Sequence, residues 1–179
     1  MVQEPELYEL AARVGQKLRA AERRVVTAES CTGGWVAKAL TDVPGSSQWF
    51  ECGYVTYSNA AKMRDLGVAA ATLESFGAVS EQTVREMAEG ALRVSGAQVA
   101  LAVTGIAGPD GGTEDKPVGT VWFCGAARAG PAIDIIAELE RFDGDRLTIR
   151  SRAAQHALRL ILRLDLPVRS ESGPRPSAP

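Results

Sequence analysis

RRVVTAESCTGGWVAKALTDV, residues 23–43, carries the reading of the fold. Its first part, RRVVTAES, is a short β-branched run of the kind that fits a pleated surface. The small polar stretch Ser30-Cys31-Thr32-Gly33-Gly34 ends that run, and WVAKALTDV then restores helical propensity as far as Pro44 and Gly45. A strand, a tight turn and a helix in immediate succession make up the repeating unit of an α/β sheet.

The same alternation continues on both sides. Upstream, residues 5–22 read as an amphipathic helix, with Leu7, Leu10, Val14 and Leu18 recurring at three- and four-residue steps. Downstream, FECGYVTYS (50–58) reads as a strand, and NAAKMRDLGV (59–68) as a helix with Asn59 near its cap. Ser80, followed by Glu81 and Thr83, opens a long helix through EQTVREMAEGALRVSG (81–96). QVALAVTG (98–105) is almost wholly apolar, as expected of a strand buried on both faces. The loop IAGPDGGTEDKP (106–117) leads to the strand VGTVWFCGAA (118–127). AIDIIAELERF (132–142) alternates apolar and charged positions and so belongs nearer a sheet edge. Asp143-Gly144-Asp145 reads as a turn before a helix from Arg146 to about Leu164. The expected architecture is a three-layer α/β/α sandwich around a mostly buried sheet. One domain over residues 1–166 is expected, with the Pro- and Ser-rich 167–179 as a disordered tail.

Composition narrows the function. With 179 residues, 45% of them hydrophobic, the chain can fill one sizeable core. A net charge of −2 gives no basic field for a nucleic-acid backbone or an anionic membrane, so any anionic ligand must be held by local groups. The stretch MVQEPELYELAARVG lacks the basic start and unbroken apolar run of a signal peptide, so none is expected, no apolar run reaches membrane length, and the three cysteines, Cys31, Cys52 and Cys124, form no Cys-x-x-Cys pair. A reduced, cytoplasmic protein is expected. The single histidine, His156, lies among apolar residues at helical spacing, which favours a structural role and disfavours both a Ser-His-Asp triad and a histidine-rich metal site.

The turn after the first strand and the Gly-rich loop 105–112 both leave a buried strand at its carboxyl end, where backbone N–H groups can receive anions and oxyanions. Either could equally be plain chain-turning: a Ser or Thr cap eased by glycines, or a crossover using glycine for positive φ. Lys62 is placed on the first turn of its helix, where the helix dipole disfavours a positive charge, and a lysine made partly neutral can take a proton from a serine. Cys31 is a rival nucleophile, because a thiol at a helix N-terminus ionises readily. Arg146, Arg150 and Arg152 offer a phosphate clamp or simply a solvated helix face.

AESCTGG (28–34), YSNAAK (57–62), LGV (66–68), GAVSEQTVREMAEGA (77–91), AVTGIAGPDGG (102–112), KPVGTV (116–121) and FDGDRLTIR (142–150) together resemble the CinA C-terminal-domain or PncC family of nicotinamide-nucleotide amidohydrolases, in its order and spacing. The resemblance covers roughly residues 6–165 and is similar to the stand-alone form, without the molybdopterin-binding-like domain of longer relatives. It implies hydrolysis of the carboxamide of nicotinamide mononucleotide to nicotinate mononucleotide and ammonia, with no metal or cofactor.

By position, the resemblance implies Ser30 as nucleophile, Lys62 as base and Tyr57 beside them. It implies a substrate pocket from Cys31, Thr32, Gly33, Gly34, Thr104, Gly105, Ala107 and Gly108, with Arg146 on the phosphate. The oxyanion would be held by N–H groups near Gly33 and Gly34 or in the 105–108 loop. A homodimer or higher homo-oligomer is the expected assembly. Asp110 stands where the family pattern has glycine, and a carboxylate pointing into an anion pocket would weaken phosphate binding. The alternatives of another class are a nucleotide-binding module that does not turn over and an amidase for a different amide.

Overall fold

A computed structural model describes residues 4–166, so the expected tail at 167–179 lies outside the described residues. The chain runs α1 (Glu4–Ala20), β1 (Val25–Glu29), α2 (Trp35–Thr41), β2 (Phe50–Val55), α3 (Asn59–Leu66), α4 (Ala70–Phe76), α5 (Glu81–Ser95), β3 (Val99–Gly105), β4 (Thr120–Ala129), β5 (Ala132–Arg141) and α6 (Arg146–Arg163). The five strands lie in the order β2-β1-β3-β4-β5. β1 pairs in parallel with both β2 and β3, whereas β3–β4 and β4–β5 are antiparallel. The parallel strands end together, so the loops after β1, β2 and β3 emerge along one rim, and β5, the alternating strand, forms an edge.

Helices cover both faces, which gives the three layers expected. Because successive strand side chains point to opposite faces, Val99, Leu101 and Val103 of β3 join α1, α2 and α6 in one core, with Val14, Leu18, Leu40, Phe123 and Leu158. Ala100 and Ala102 turn to the other core, with Leu66, Val84, Met87 and Leu92 of α3 and α5. The second face is floored largely by small side chains, including Ala28 and Ala126, which lets α5 lie close to the sheet. At Gly90 of α5 an added Cβ would stand 2.0 Å from the Leu66 carbonyl oxygen, so only glycine lets the end of α3 rest on α5. That approach fixes the helix that bears Lys62.

Local detail refines one expectation and adds two elements. The cap of α3 is Ser58, whose hydroxyl accepts the Ala61 N–H at 3.1 Å, while Asn59 is already helical. The helix α4 and a short 3-10 turn at Ser46–Gln48 have no counterpart in the expected elements. α4 is seven residues long and starts at Ala69 without a side-chain cap, so it carries little sequence signature. By contrast, Ser80 caps α5 as read, its hydroxyl accepting the Thr83 N–H at 3.2 Å. His156 packs against Phe123, with ring centroids 4.5 Å apart, and its Nε2 lies 3.0 Å from Glu138.

Candidate active site

A cleft of about 260 Å³ opens at the rim where β1, β2 and β3 end, lined by Ser30 and Cys31, Tyr57 and Lys62, Ala78 and Val79, the 104–108 stretch, Asp110, Gly111 and Arg146. Two larger hollows, of about 460 and 470 Å³, lie on the outer surfaces of α1, against α6 and α2 respectively. Neither holds a nucleophile beside a base, so the smaller cleft is where reactive groups converge.

Lys62 is 1% exposed, and its Nζ lies 3.1 Å from the Ser30 hydroxyl and 2.8 Å from the Thr56 carbonyl oxygen. No carboxylate pairs with it among the described residues. Burial disfavours the charged ammonium and lowers the Lys62 pKa from its ordinary value, with the neighbouring Cys31 acting the other way. From sequence the helix dipole is the reason for expecting a lowered pKa; in the structure the cause is burial. The neighbouring thiol behaves differently. Cys31 is 4% exposed and burial pushes its pKa up to about 12, so it is a protonated thiol at neutral pH.

The turn after β1 corrects the expectation of open amides near Gly33 and Gly34. Glu29, the last residue of β1, is fully buried and folds its carboxylate back over the start of α2. It accepts from the Thr32 hydroxyl at 2.7 Å and from the amides of Gly34, Val36 and Ala37 at 3.0, 3.1 and 2.8 Å. The Gly33 amide donates to the Ser30 carbonyl at 3.0 Å. Thus Thr32, Gly33 and Gly34, expected in the substrate pocket, are committed to the turn and do not line the cleft. Gly33 and Gly34 both take positive φ, 62° and 90°, which lets the chain turn so tightly. Among the described residues, the amides of Cys31, Thr32, Ala107 and Gly108 donate to no carbonyl or carboxylate.

Across the cleft, the Thr104 hydroxyl donates to the Ala78 carbonyl at 2.8 Å, tying the end of β3 to the segment before α5. Gly105 lets β3 approach β4, since a Cβ there would lie 2.8 Å from the Thr120 carbonyl oxygen. Arg146, at the start of α6, donates to the Gly108 carbonyl and to the Tyr57 hydroxyl, both at 2.8 Å, and so bridges the loops after β2 and β3. Arg150, one turn further on, does not stand free for a phosphate. Its guanidinium donates to the carbonyls of Cys31 and Thr32 at 3.0 and 2.8 Å and lies over the Trp35 ring. Arg152 donates to the Asp143 carbonyl. Among the described residues no three His, Cys, Asp or Glu side chains converge as a metal-holding group.

A sequence model of the CinA C-terminal domain family matches residues 7–164. The chain belongs to this family. A nicotinamide-nucleotide amidohydrolase PncC of Enterobacter agglomerans is 53% identical over 160 residues, covering 89% of this chain and 96% of the relative. The protein of that name from Escherichia coli K12 is 54% identical over 156 residues, covering 87% of this chain and 93% of its own. Among solved structures, the competence/damage inducible protein CihA of Agrobacterium tumefaciens superposes with a TM-score of 0.83 at 45% identity, covering 88% of this chain and 94% of that one. The cleft described above is therefore part of a CinA C-terminal domain fold, and no helix of the described residues is long and apolar enough to cross a membrane.

Proposed function

We propose that this CinA-family chain hydrolyses the carboxamide of nicotinamide mononucleotide to nicotinate mononucleotide and ammonia, with Ser30 as nucleophile and Lys62 as its base. The observation that carries the reading is the buried 3.1 Å contact between Lys62 Nζ and Ser30 Oγ, with Lys62 shifted toward its neutral form. A binding module needs no such pair. Two similar proteins bearing the name nicotinamide-nucleotide amidohydrolase support the choice of amide.

In this reading, neutral Lys62 takes the hydroxyl proton as Ser30 Oγ bonds to the carboxamide carbon, and the carbonyl electrons become an oxyanion. The oxyanion is received by amides of cleft-lining residues that donate to no carbonyl or carboxylate, that of Cys31, which touches only its own thiol, on one side and that of Ala107 or Gly108 on the other. When the carbon–nitrogen bond breaks, ammonia leaves with the proton held by Lys62, or with one relayed by Tyr57. Water, deprotonated by Lys62, then releases the acyl group as the acid and restores Ser30. Arg146, the exposed cation among the residues lining the cleft, is suited to the single phosphate of a mononucleotide. No step calls on a metal or cofactor.

The test is ammonia release from nicotinamide mononucleotide by the purified chain, beside Ser30→Ala, Cys31→Ala and Lys62→Met. The reading requires an active parent, a nearly unaffected Cys31→Ala and two folded but inactive variants. A parent that releases no ammonia yet is stabilised by the nucleotide against heat is instead a binding module, and release from other amides alone would make it a different amidase.

A further inference from the structure

We infer that Glu29 and Arg150 form a two-sided clamp on the turn that follows Ser30, a positioning device that turns the Cys31 amide outward as the oxyanion donor. The inference rests on the serine-amidase reading given above. Glu29 takes up donors on the α2 side, accepting from the Thr32 hydroxyl and three amides. Arg150 takes up the carbonyls, with Nε on Cys31 and Nη2 on Thr32. Between them they hold the Thr32 hydroxyl, the amides of Gly34, Val36 and Ala37 and the carbonyls of Cys31 and Thr32, while the Gly33 and Trp35 amides bond within the turn to the Ser30 and Thr32 carbonyls.

The consequence for the cleft follows from peptide geometry. In a planar trans peptide the N–H and C=O point in opposite directions. The Ser30 carbonyl is turned inward to accept the Gly33 amide at 3.0 Å, so the Cys31 amide of the same peptide plane points out of the turn. The next plane is held by Arg150, which draws the Cys31 carbonyl toward α6 and sends the Thr32 amide the other way. Cys31 itself lines the cleft beside Ser30, whereas Thr32 does not, which selects the Cys31 amide as the donor in reach of a bound carbonyl. An amide adjacent to the nucleophile is well placed to meet the oxyanion that forms on the attacked carbon.

The residue types suit this task. A guanidinium presents parallel donors in a rigid fork, so one side chain can hold two successive carbonyls, whereas an ammonium binds as a point charge. Room for Arg150 is part of the design: a Cβ on Gly33 would lie 3.1 Å from its Nη2. The Trp35 ring, its centroid 5.4 Å from the guanidinium carbon, lies under that charge. No carboxylate pairs with Arg150 among the described residues, so its hydrogen bonds go to the turn itself. Glu29 is an acceptor at all four of its bonds, a pattern that a glutamine, with an NH₂ in place of one oxygen, cannot reproduce.

The experiment uses the full chain with Arg150→Met, Arg150→Lys and Glu29→Gln. It reads ammonia release from nicotinamide mononucleotide and, separately, the labelling of Ser30 by a fluorophosphonate, followed by mass spectrometry. In labelling, Ser30 Oγ bonds to phosphorus, fluoride leaves with the bonding pair and Lys62 takes the hydroxyl proton, so the nucleophile is tested without the natural substrate. Arg150→Met should lower both kcat and the labelling rate about 100-fold, as expected of a reacting group misplaced by an ångström. KM should stay within about threefold, because the Arg146 side of the cleft is untouched, and the pH midpoint of labelling should not move, because Lys62 is untouched. Arg150→Lys and Glu29→Gln should fall between this variant and the parent, about tenfold down.

A folded Arg150→Met that labels and turns over at the parental rate overturns the clamp, as does a loss confined to KM. Should Arg150→Met fail to fold, Arg150→Lys decides, and parental rates there overturn the inference. A parent that labels at Ser30 but releases no ammonia removes the substrate reading, and the labelling ratio then judges the clamp alone. If the parent turns over without labelling, the kcat ratio judges it. A parent that does neither overturns both.

Discussion

The two loops that wall the cleft are built to opposite standards. The turn after β1 is enclosed: Glu29 holds the Thr32 hydroxyl and three amides, Arg150 holds the Cys31 and Thr32 carbonyls, and Ser30 donates its own amide to the Val103 carbonyl at 3.0 Å. The loop after β3 is tied at its base, where Ile106 exchanges hydrogen bonds with Thr120 and Gly119, and then runs exposed from Pro109 to Asp115. Its further tethers come from long side chains, Arg146 on Gly108 and Lys116 on the Phe76 carbonyl. The two walls divide the labour. Groups that must meet a reacting carbon within a fraction of an ångström are over-determined by buried bonds, while groups that recognise the rest of a ligand sit on a wall able to adjust.

Variants in the enclosed wall carry the largest expected effects. Lys62→Met and Ser30→Ala should each lower kcat by about a thousandfold or more, the scale of losing a positioned proton acceptor or its nucleophile. Binding of nicotinamide mononucleotide, followed by calorimetry, should stay within about threefold of the parent. A loss expressed in binding instead would mean that the enclosed wall also recognises the ligand. Next in size is Arg146→Met on the adjustable wall, which removes the bonds to Gly108 and Tyr57. Its KM should rise about 10- to 100-fold, as for the loss of a charged hydrogen bond, with kcat at saturation little changed. A large fall in kcat would show that the bridge across the mouth takes part in the chemistry.

The same contrast governs what could be read from sequence. Strand–turn–helix alternation, the cap at Ser80 and the edge character of β5 were legible because each follows from local pattern. Ser30, Lys62, Tyr57 and Arg146 came together by resemblance, whereas the order of the long-range contacts was invisible. Arg146 and Arg150 lie four residues apart on one helix and look alike as candidate phosphate ligands, yet one spans the cleft mouth and the other holds the turn. Glu29 is the sharper lesson. A charged residue closing an otherwise uncharged strand implies a buried partner, and the nearest supply of donors was the very set of amides assigned by sequence to the oxyanion. The helix start was already occupied by the chain's own carboxylate.

Titration of Lys62 gives an intermediate effect and two independent readouts. Burial lowers its pKa below the ordinary value near 10.5. As the base must be neutral, kcat/KM should rise about tenfold per pH unit on the acid side and level off at a midpoint below that value. For stability, a lysine with a lowered folded pKa binds fewer protons folded than unfolded. Its unfavourable contribution is therefore fully present below the folded pKa and is relieved as pH rises from there toward the unfolded value near 10.4. Urea melts of parent and Lys62→Met should accordingly converge in the parent's favour between pH 7 and pH 10. A stability difference that stays constant across that interval would mean that the ammonium remains charged in the fold.

The smallest effect should come from Asp110, which lines the cleft on the exposed part of the loop after β3. It shares that wall with Arg146, so its carboxylate offsets part of the positive field that the guanidinium offers a phosphate. Both groups face water, where interactions between charges are weak and screened by salt. Asp110→Gly should therefore lower KM for nicotinamide mononucleotide by only about two- to threefold at low ionic strength and leave kcat alone. The gain should vanish in 0.5 M NaCl, since the Debye length there is shorter than about 8 Å. A gain that survives high salt would instead come from the added glycine loosening the loop, which would place the tuning of this wall in its backbone rather than in its charge. A fall in kcat would contradict the division between the walls, because it would tie a residue with no bond to the Ser30 turn to the step that the turn is built to hold.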